Sequence, residues 1–189
     1  MLAVPATLLA QNITPTGVTA SSTFSNYNVL NLINNSGLSA GLHDATYSNM
    51  WLGDTNDVTP WLRFALGSNY DLTSASIWQY NYDSLRNRGV NGLRILISSN
   101  GVNFTLATTT TLTQSPGGNI PAQTVSFTGT ARYVRFEVTS NHGAAHTPAC
   151  PRSSSRAPPP RRRASRWSRL SAPRPASVPR PTASPSRQA

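Results

Sequence analysis

The chain has 189 residues and a formal net charge of +10, from 16 basic against 6 acidic side chains. All 16 are arginines and they are unevenly placed: residues 1–143 carry six of them together with all six acids (Asp44, Asp54, Asp57, Asp71, Asp83 and Glu137), whereas residues 144–189 carry ten and no acid. A single cysteine, Cys150, excludes an intrachain disulfide framework and a cysteine-clustered metal site, and no apolar run of about 18 residues offers a membrane-spanning helix.

Residues 1–12 are apolar without a positively charged start. They read as the end of a truncated signal peptide, or else as an apolar first strand or a disordered terminus. Between Ile13 and Thr139 the pattern is of about seven short strands separated by turn-rich loops, with no helical periodicity. Residues 61–66 form an apolar-rich strand closed by Gly67, and residues 75–80 alternate small or polar with bulky side chains as a second strand. Residues 93–98 and 102–106 read as a hairpin closed by Ser99-Asn100-Gly101, because Asn-Gly supplies the positive φ angles of a tight turn. Residues 123–127 and 132–138 read as another pair turning at Gly129, with Arg132, Val134, Phe136 and Val138 on one face. Two loops stand out: residues 31–59, dense in Asn, Ser, Gly and Asp, and residues 81–91. A loop as long as the first in a compact domain is usually functional or disordered.

Beyond residue 143 the composition changes. Of the 46 residues from 144 to 189, 10 are Arg, 10 Pro, 11 Ser or Thr and 9 Ala, too little apolar mass to offset chain entropy, so this tail reads as disordered. Arg, Pro, Ser and Ala share GC-rich codons, and a one-base shift of such DNA yields small apolar residues. The tail therefore also reads as a frameshifted product of a C-terminal membrane anchor of the Pro-Glu-Pro type. If it is genuine, its arginines suit anionic surfaces through charge neutralisation. Only Trp167 is interleaved with them, so no specific nucleic-acid partner is expected.

Several segments, in order, resemble one family: Val18-Thr19-Ala20-Ser21-Ser22, Asn31-Leu32-Ile33-Asn34, Trp51-Leu52, Pro60-Trp61-Leu62-Arg63-Phe64-Ala65-Leu66-Gly67, Ile77-Trp78-Gln79-Tyr80-Asn81, Asn87-Arg88-Gly89-Val90, residues 97–104 and Ala131-Arg132-Tyr133-Val134-Arg135-Phe136. Together, over about residues 13–141, they are similar to the discoidin-like domain, also called the coagulation factor five/eight type C domain, of the galactose-binding jelly-roll superfamily. The resemblance implies an all-β fold, an antiparallel β-sandwich with its ligand-binding loops at one end, and a non-catalytic binding module rather than an enzyme. It also implies a structural calcium after the first strand. The two carboxylates of the family pattern are absent here, which leaves Asn31, Asn34, Ser36 and Ser39 with neighbouring carbonyls as candidate ligands. The family's closing strand is likewise missing after His142, so a neighbouring strand is expected to be left unpaired and the chain marginally stable.

Within that frame the carbohydrate chemistry falls on the two loops. Trp51 and Tyr82 can stack on the apolar face of a sugar ring while Asp83, Asn87 and Arg88 bond its hydroxyls, and His43 can both donate to and accept from a hydroxyl. Three structural alternatives stand beside this reading: Trp51 as a core residue under the loop, Arg88 bracing its loop through Asp83, and Asp44 making a local turn with His43 exposed beside it. Trp61 and Trp78 are expected in the core. The sequence thus predicts an N-terminal segment (1–12), a β-sandwich (13–143) and a tail (144–189). It predicts a secreted or cell-surface bacterial module, membrane-anchored in the intact gene product and monomeric, with a glycan or exopolysaccharide as its partner. The alternative is an adhesion or extracellular-matrix module binding protein or an anionic lipid surface.

Overall fold

The computed structural model describes residues 11–144 and 153–157. The signal-peptide reading and, apart from residues 153–157, the readings of the tail concern residues outside those described. The chain folds as an antiparallel β-sandwich. Its strands are β1 (Gln11–Ile13), β2 (Gly17–Ala20), β3 (Leu38–Ser39), β4 (Leu42–His43), β5 (Trp61–Ile77), β6 (Gly92–Ser98), β7 (Thr105–Thr111), β8 (Ile120–Pro121), β9 (Gln123–Val138) and β10 (Ser153–Ala157). Three short 3-10 turns, Val29–Leu32, Tyr47–Asn49 and Asp83–Arg88, lie in the loops.

Two long strands organise the fold. β5 pairs with β9 along nearly its whole length, from Trp61 opposite Glu137 to Ile77 opposite Gln123. The sequence reads each of these as two separate strands, one pair closed by Gly67 and the other turning at Gly129. The structure corrects both readings, and the glycines show why. Gly67 and Gly129 have φ angles of +86° and +155°, which a residue with a Cβ rarely adopts, and they bend the ribbon without ending it. Register shifts mark the bends: between Ala65 and Tyr70 residues 66–69 stand opposite Arg132 alone, and a second shift lies between Leu72 and Ser74. A Cβ on Gly129 would also collide with the end of the Ile97 side chain.

The bent ribbon folds its own apolar residues into a common core. Along the first half of β5, Leu62, Phe64 and Leu66 are buried and alternate with Trp61, Arg63 and Ala65; along β9, Val134, Phe136 and Val138 alternate with Tyr133, Arg135 and Glu137. Leu72, Ala75, Ile77, Val125 and Phe127, from the other half, join the same cluster. Phe64 and Phe136 meet edge to face with centroids 5.2 Å apart, an arrangement worth about 0.5–1.5 kcal/mol beyond the area it buries. β2 lies against the first half of β5, β6 against β9, and β7 against β6, while β3, β4 and β8 make a small separate sheet.

The expected 93–98 hairpin is present with a longer turn. β6 and β7 last pair at Ile97 and Thr105, so Val102 to Phe104 belong to the connection and not to the strand. Asn100 Oδ1 accepts from the backbone N–H groups of Val102 and Asn103, both at 2.9 Å, and Ser98 Oγ accepts from Gly101. These side-chain bonds satisfy the backbone that a two-residue turn would have paired.

The strand expected to be missing has a substitute. Residues 153–157, read from sequence as tail, run antiparallel between β5 and β1, with Ser153 opposite Ile77 and Ile13 opposite Ser155. The β5 edge expected to be open is therefore paired. A chain ending at Ala144 loses this strand, and each lost backbone hydrogen bond is worth about 1 kcal/mol net. With a net loss of about 2 kcal/mol once the entropy of ordering the strand is offset, a version ending at Ala157 is expected to melt about 4–8 °C above one ending at Ala144, at about 2–4 °C per kcal/mol. Coincident melting curves would show that β10 contributes nothing.

Candidate functional site

The long loop between β2 and β5 is held by its own amides. Asn31 is buried, and its Nδ2 donates to the carbonyls of Ser48 (2.8 Å) and Met50 (2.9 Å), tying the start of the loop to its end. Asp44 organises the middle: Oδ1 accepts from the Thr46 N–H at 3.1 Å and Oδ2 from Asn49 Nδ2 at 2.9 Å. A second buried amide, Asn81, joins this loop to the next two. Its Nδ2 donates to the carbonyls of Asp44 and Gly118, its Oδ1 accepts from Ser115 Oγ, and its backbone N–H points at Met50 Sδ at 3.4 Å. Loops 31–59, 81–91 and 113–119 are thereby fixed relative to one another.

On this frame stands a row of aromatic rings. Phe24 meets Tyr27 at 6.2 Å between centroids, Tyr27 meets Tyr47 at 6.0 Å, and Tyr47 meets Tyr82 edge-on at 5.7 Å. Beneath the row lie Met50, Leu52 and Tyr80, all buried. The Tyr80 and Tyr27 hydroxyls share a hydrogen bond of 3.2 Å. Burial and that bond hold the Tyr80 phenol well above its usual ionisation range, while the Arg88 guanidinium beside it pulls the other way, so Tyr80 stays neutral. Tyr47, at the outer part of the row, is 51 % exposed.

The residues singled out from sequence separate into two groups. Tyr82, Asp83, Asn87 and Arg88 come together at the 3-10 turn Asp83–Arg88, and Tyr82 reaches the long loop through Tyr47. Asp83 is exposed and Asn87 and Arg88 are half-buried. Arg88 does not brace the turn through Asp83; its guanidinium lies beside the Tyr80 phenol. Arg86 serves as the brace, donating to the Pro116 carbonyl.

Trp51 and His43 fall elsewhere. Trp51 has no exposed surface, belongs to the main core and donates its indole N–H to Thr23 Oγ1 at 3.1 Å, so it offers no ring face to a sugar. His43 is equally buried, in β4, which corrects both the hydroxyl-binding reading and the exposed alternative. Its Nδ1 lies 2.8 Å from the Asp44 carbonyl; a carbonyl only accepts, so Nδ1 carries the proton, and Nε2 is buried without a hydrogen-bond partner among the described residues. Trp78 is buried, its indole donating to the Gly41 carbonyl at 3.0 Å. Trp61, expected in the core, is half-buried on the outer face of β5 with Arg135 over its ring.

Three contributors were not singled out from sequence. Tyr47 carries the same local signal as Trp51, an aromatic in a polar loop. Asn81 gave only the signal of an amide following an apolar strand. His142 shows only in the fold, where its N–H donates to the carbonyls of Asn87 and Gly89 at 3.0 and 3.2 Å and closes the 83–89 segment from outside.

The candidate calcium ligands are neutral groups bonded within their own turn. Asn34 Oδ1 accepts from the Ser36 N–H at 2.9 Å and Asn31 Oδ1 from Ser36 Oγ at 3.3 Å, while the carbonyls of Asn35 and Gly37 accept from Leu38 and Asp44. Ser39 is exposed in β3. Calcium takes about six to eight oxygens, preferably with carboxylates among them, and these candidates are all neutral. Among the described residues no three His, Cys, Asp or Glu side chains gather where they could hold an ion.

Solved structures share this fold. The family 32 carbohydrate-binding module of Clostridium perfringens NanJ, solved with galactose, is 17% identical with a TM-score of 0.61 over 78% of this chain and 99% of its own. A module of a C. perfringens family 89 enzyme, solved with GalNAc-β-1,3-galactose, is 15% identical with a TM-score of 0.56 over 77% and 99%. A fucolectin from striped bass serum, Morone saxatilis, is 20% identical with a TM-score of 0.58 over 78% of this chain and 49% of its own. At these identities the likeness is one of fold. No curated protein sequence matches the chain significantly. The family model of the F5/8 type C domain matches residues 17–150, well over half of the chain, and the chain belongs to that family.

Proposed function

We propose that the protein is a non-catalytic carbohydrate-binding module, secreted or displayed at the cell surface, that takes a glycan on the aromatic row of its loop end. The observation that carries this is the pairing of a half-exposed tyrosine, Tyr47, with Tyr82 across two loops, beside the polar groups of Asp83, Asn87 and Arg88. A sugar presents an apolar face of axial C–H bonds and a rim of hydroxyls. An aromatic ring receives the first, and carboxylate, amide and guanidinium groups receive the second. The frame beneath the row is pre-formed by the Asn31 and Asn81 bonds, so binding orders little that is not already ordered. The fold neighbours support the reading, since two of them were solved with galactose or a GalNAc-galactose disaccharide.

On an array of galactose- and N-acetylgalactosamine-bearing oligosaccharides, the full chain is expected to bind, and Tyr47→Ala to weaken that binding about tenfold, equivalent to about 1.4 kcal/mol. Unchanged affinity in Tyr47→Ala would remove the row from the site. Binding to anionic lipid vesicles in place of any glycan would move the function to the adhesion reading. Trp51→Ala is expected to act on stability instead, costing about 3–5 kcal/mol as a large core truncation; a variant that melts normally but fails to bind would return Trp51 to the site.

A further inference from the structure

A second cluster of chemistry lies away from the aromatic row, on the outer face of the sheet formed by β5, β9 and β6. Registration places Trp61 opposite Glu137, Arg63 opposite Arg135, and Arg94 opposite Glu137, and residues so paired share a face. Two guanidiniums, those of Arg94 and Arg135, therefore stand against one carboxylate, with Arg63 on the same face. Glu137 divides its two oxygens between them: Arg94 Nη1 lies 3.0 Å from Oε2 and Arg135 Nε 3.2 Å from Oε1. The Arg135 guanidinium is stacked over Trp61 at 4.7 Å from the ring centroid and lies 5.9 Å from that of Phe104, which fixes its plane. Arg63 and Arg135 face each other across neighbouring strands, a like-charge pair that costs stability. Beside these groups opens a hollow of about 440 Å³, lined by Thr59, Trp61, Arg94, Arg135, Glu137 and Thr139, within the size range of small-molecule sites.

We propose that this hollow is a second saccharide site, distinct from the aromatic row, that takes a carboxylate-bearing sugar of the uronic acid class. Arginine does not lose its proton, so the hollow, lined by two arginines and one carboxylate, keeps a surplus of positive charge. A guanidinium pre-set by stacking offers a carboxylate two parallel N–H donors at little entropic cost. The ligand's carboxylate meets the Arg135 and Arg94 guanidiniums, and its hydroxyls have Thr59, Thr139 and the Glu137 oxygens to bond.

The test is calorimetric titration of the full chain with tri-galacturonic acid and with its methyl ester, at low and at raised salt. The acid is expected to bind at least tenfold more tightly than the ester and to weaken as salt rises. Arg94→Gln, at a side chain 43 % exposed, and Thr59→Glu, which sets a carboxylate at the rim, should each weaken the acid tenfold or more while melting like the parent. Tyr47→Ala should leave acid binding unchanged. Equal binding of acid and ester overturns the proposal. So does parental acid binding by Arg94→Gln and Thr59→Glu, which would place the acid on the tail, or its loss in Tyr47→Ala, which would place it on the aromatic row.

Discussion

The antiparallel pairing of β5 with β9 is the constraint on which the rest of the molecule depends. Because the two strands stay paired through their bends, every later element is placed by reference to them. β2 and β10 line successive stretches of one edge, β6 and then β7 extend the other, and the buried faces of both halves meet in a single core. The bends require glycine, at Gly67 for its positive φ and at Gly129 for that and for the space Ile97 occupies. A straight ribbon would present its apolar residues to two separate surfaces and close no core.

The loops that leave this frame are ordered by a second principle, the satisfaction of buried amides. Asn31 and Asn81 are side chains that would cost free energy if buried unpaired. Each instead bonds backbone carbonyls from other turns of chain, so the same atoms that remove the penalty also fix one loop against another. Asn34 and Ser36 do likewise within the 31–39 turn. Hydrogen bonding among neutral groups thus orders this turn.

The two proposed surfaces divide the chemistry of recognition between them. The loop end offers aromatic rings and mixed polar groups, suited to a ligand with apolar faces and hydroxyls. The sheet face offers fixed guanidiniums around one carboxylate, suited to negative charge. Both rest on stacking: the tyrosines brace one another, and Trp61 braces Arg135. Pre-organisation of this kind lowers the entropic cost of binding, which matters for a module whose individual contacts are weak.

The sequence by itself determined the class of fold. Alternating burial in residues 61–66 and 132–138, the Asn-Gly turn and the ordered family segments are local or near-local signals, and the strands at those places follow them. It also located the two loops that carry the candidate site, and Tyr82 with its polar neighbours, because those residues lie within one short stretch. Only the tertiary structure decided which aromatics face outward. Trp51 and Tyr47 occupy the same loop with the same local signal, and one is core while the other is half exposed because of what packs against each from distant parts of the chain. In the same way Gly67 and Gly129 read locally as strand ends. Serines 153–155 read locally as tail. The first became bends and the second a strand, since a paired neighbour continues the ladder across a place where isolated propensity would stop it.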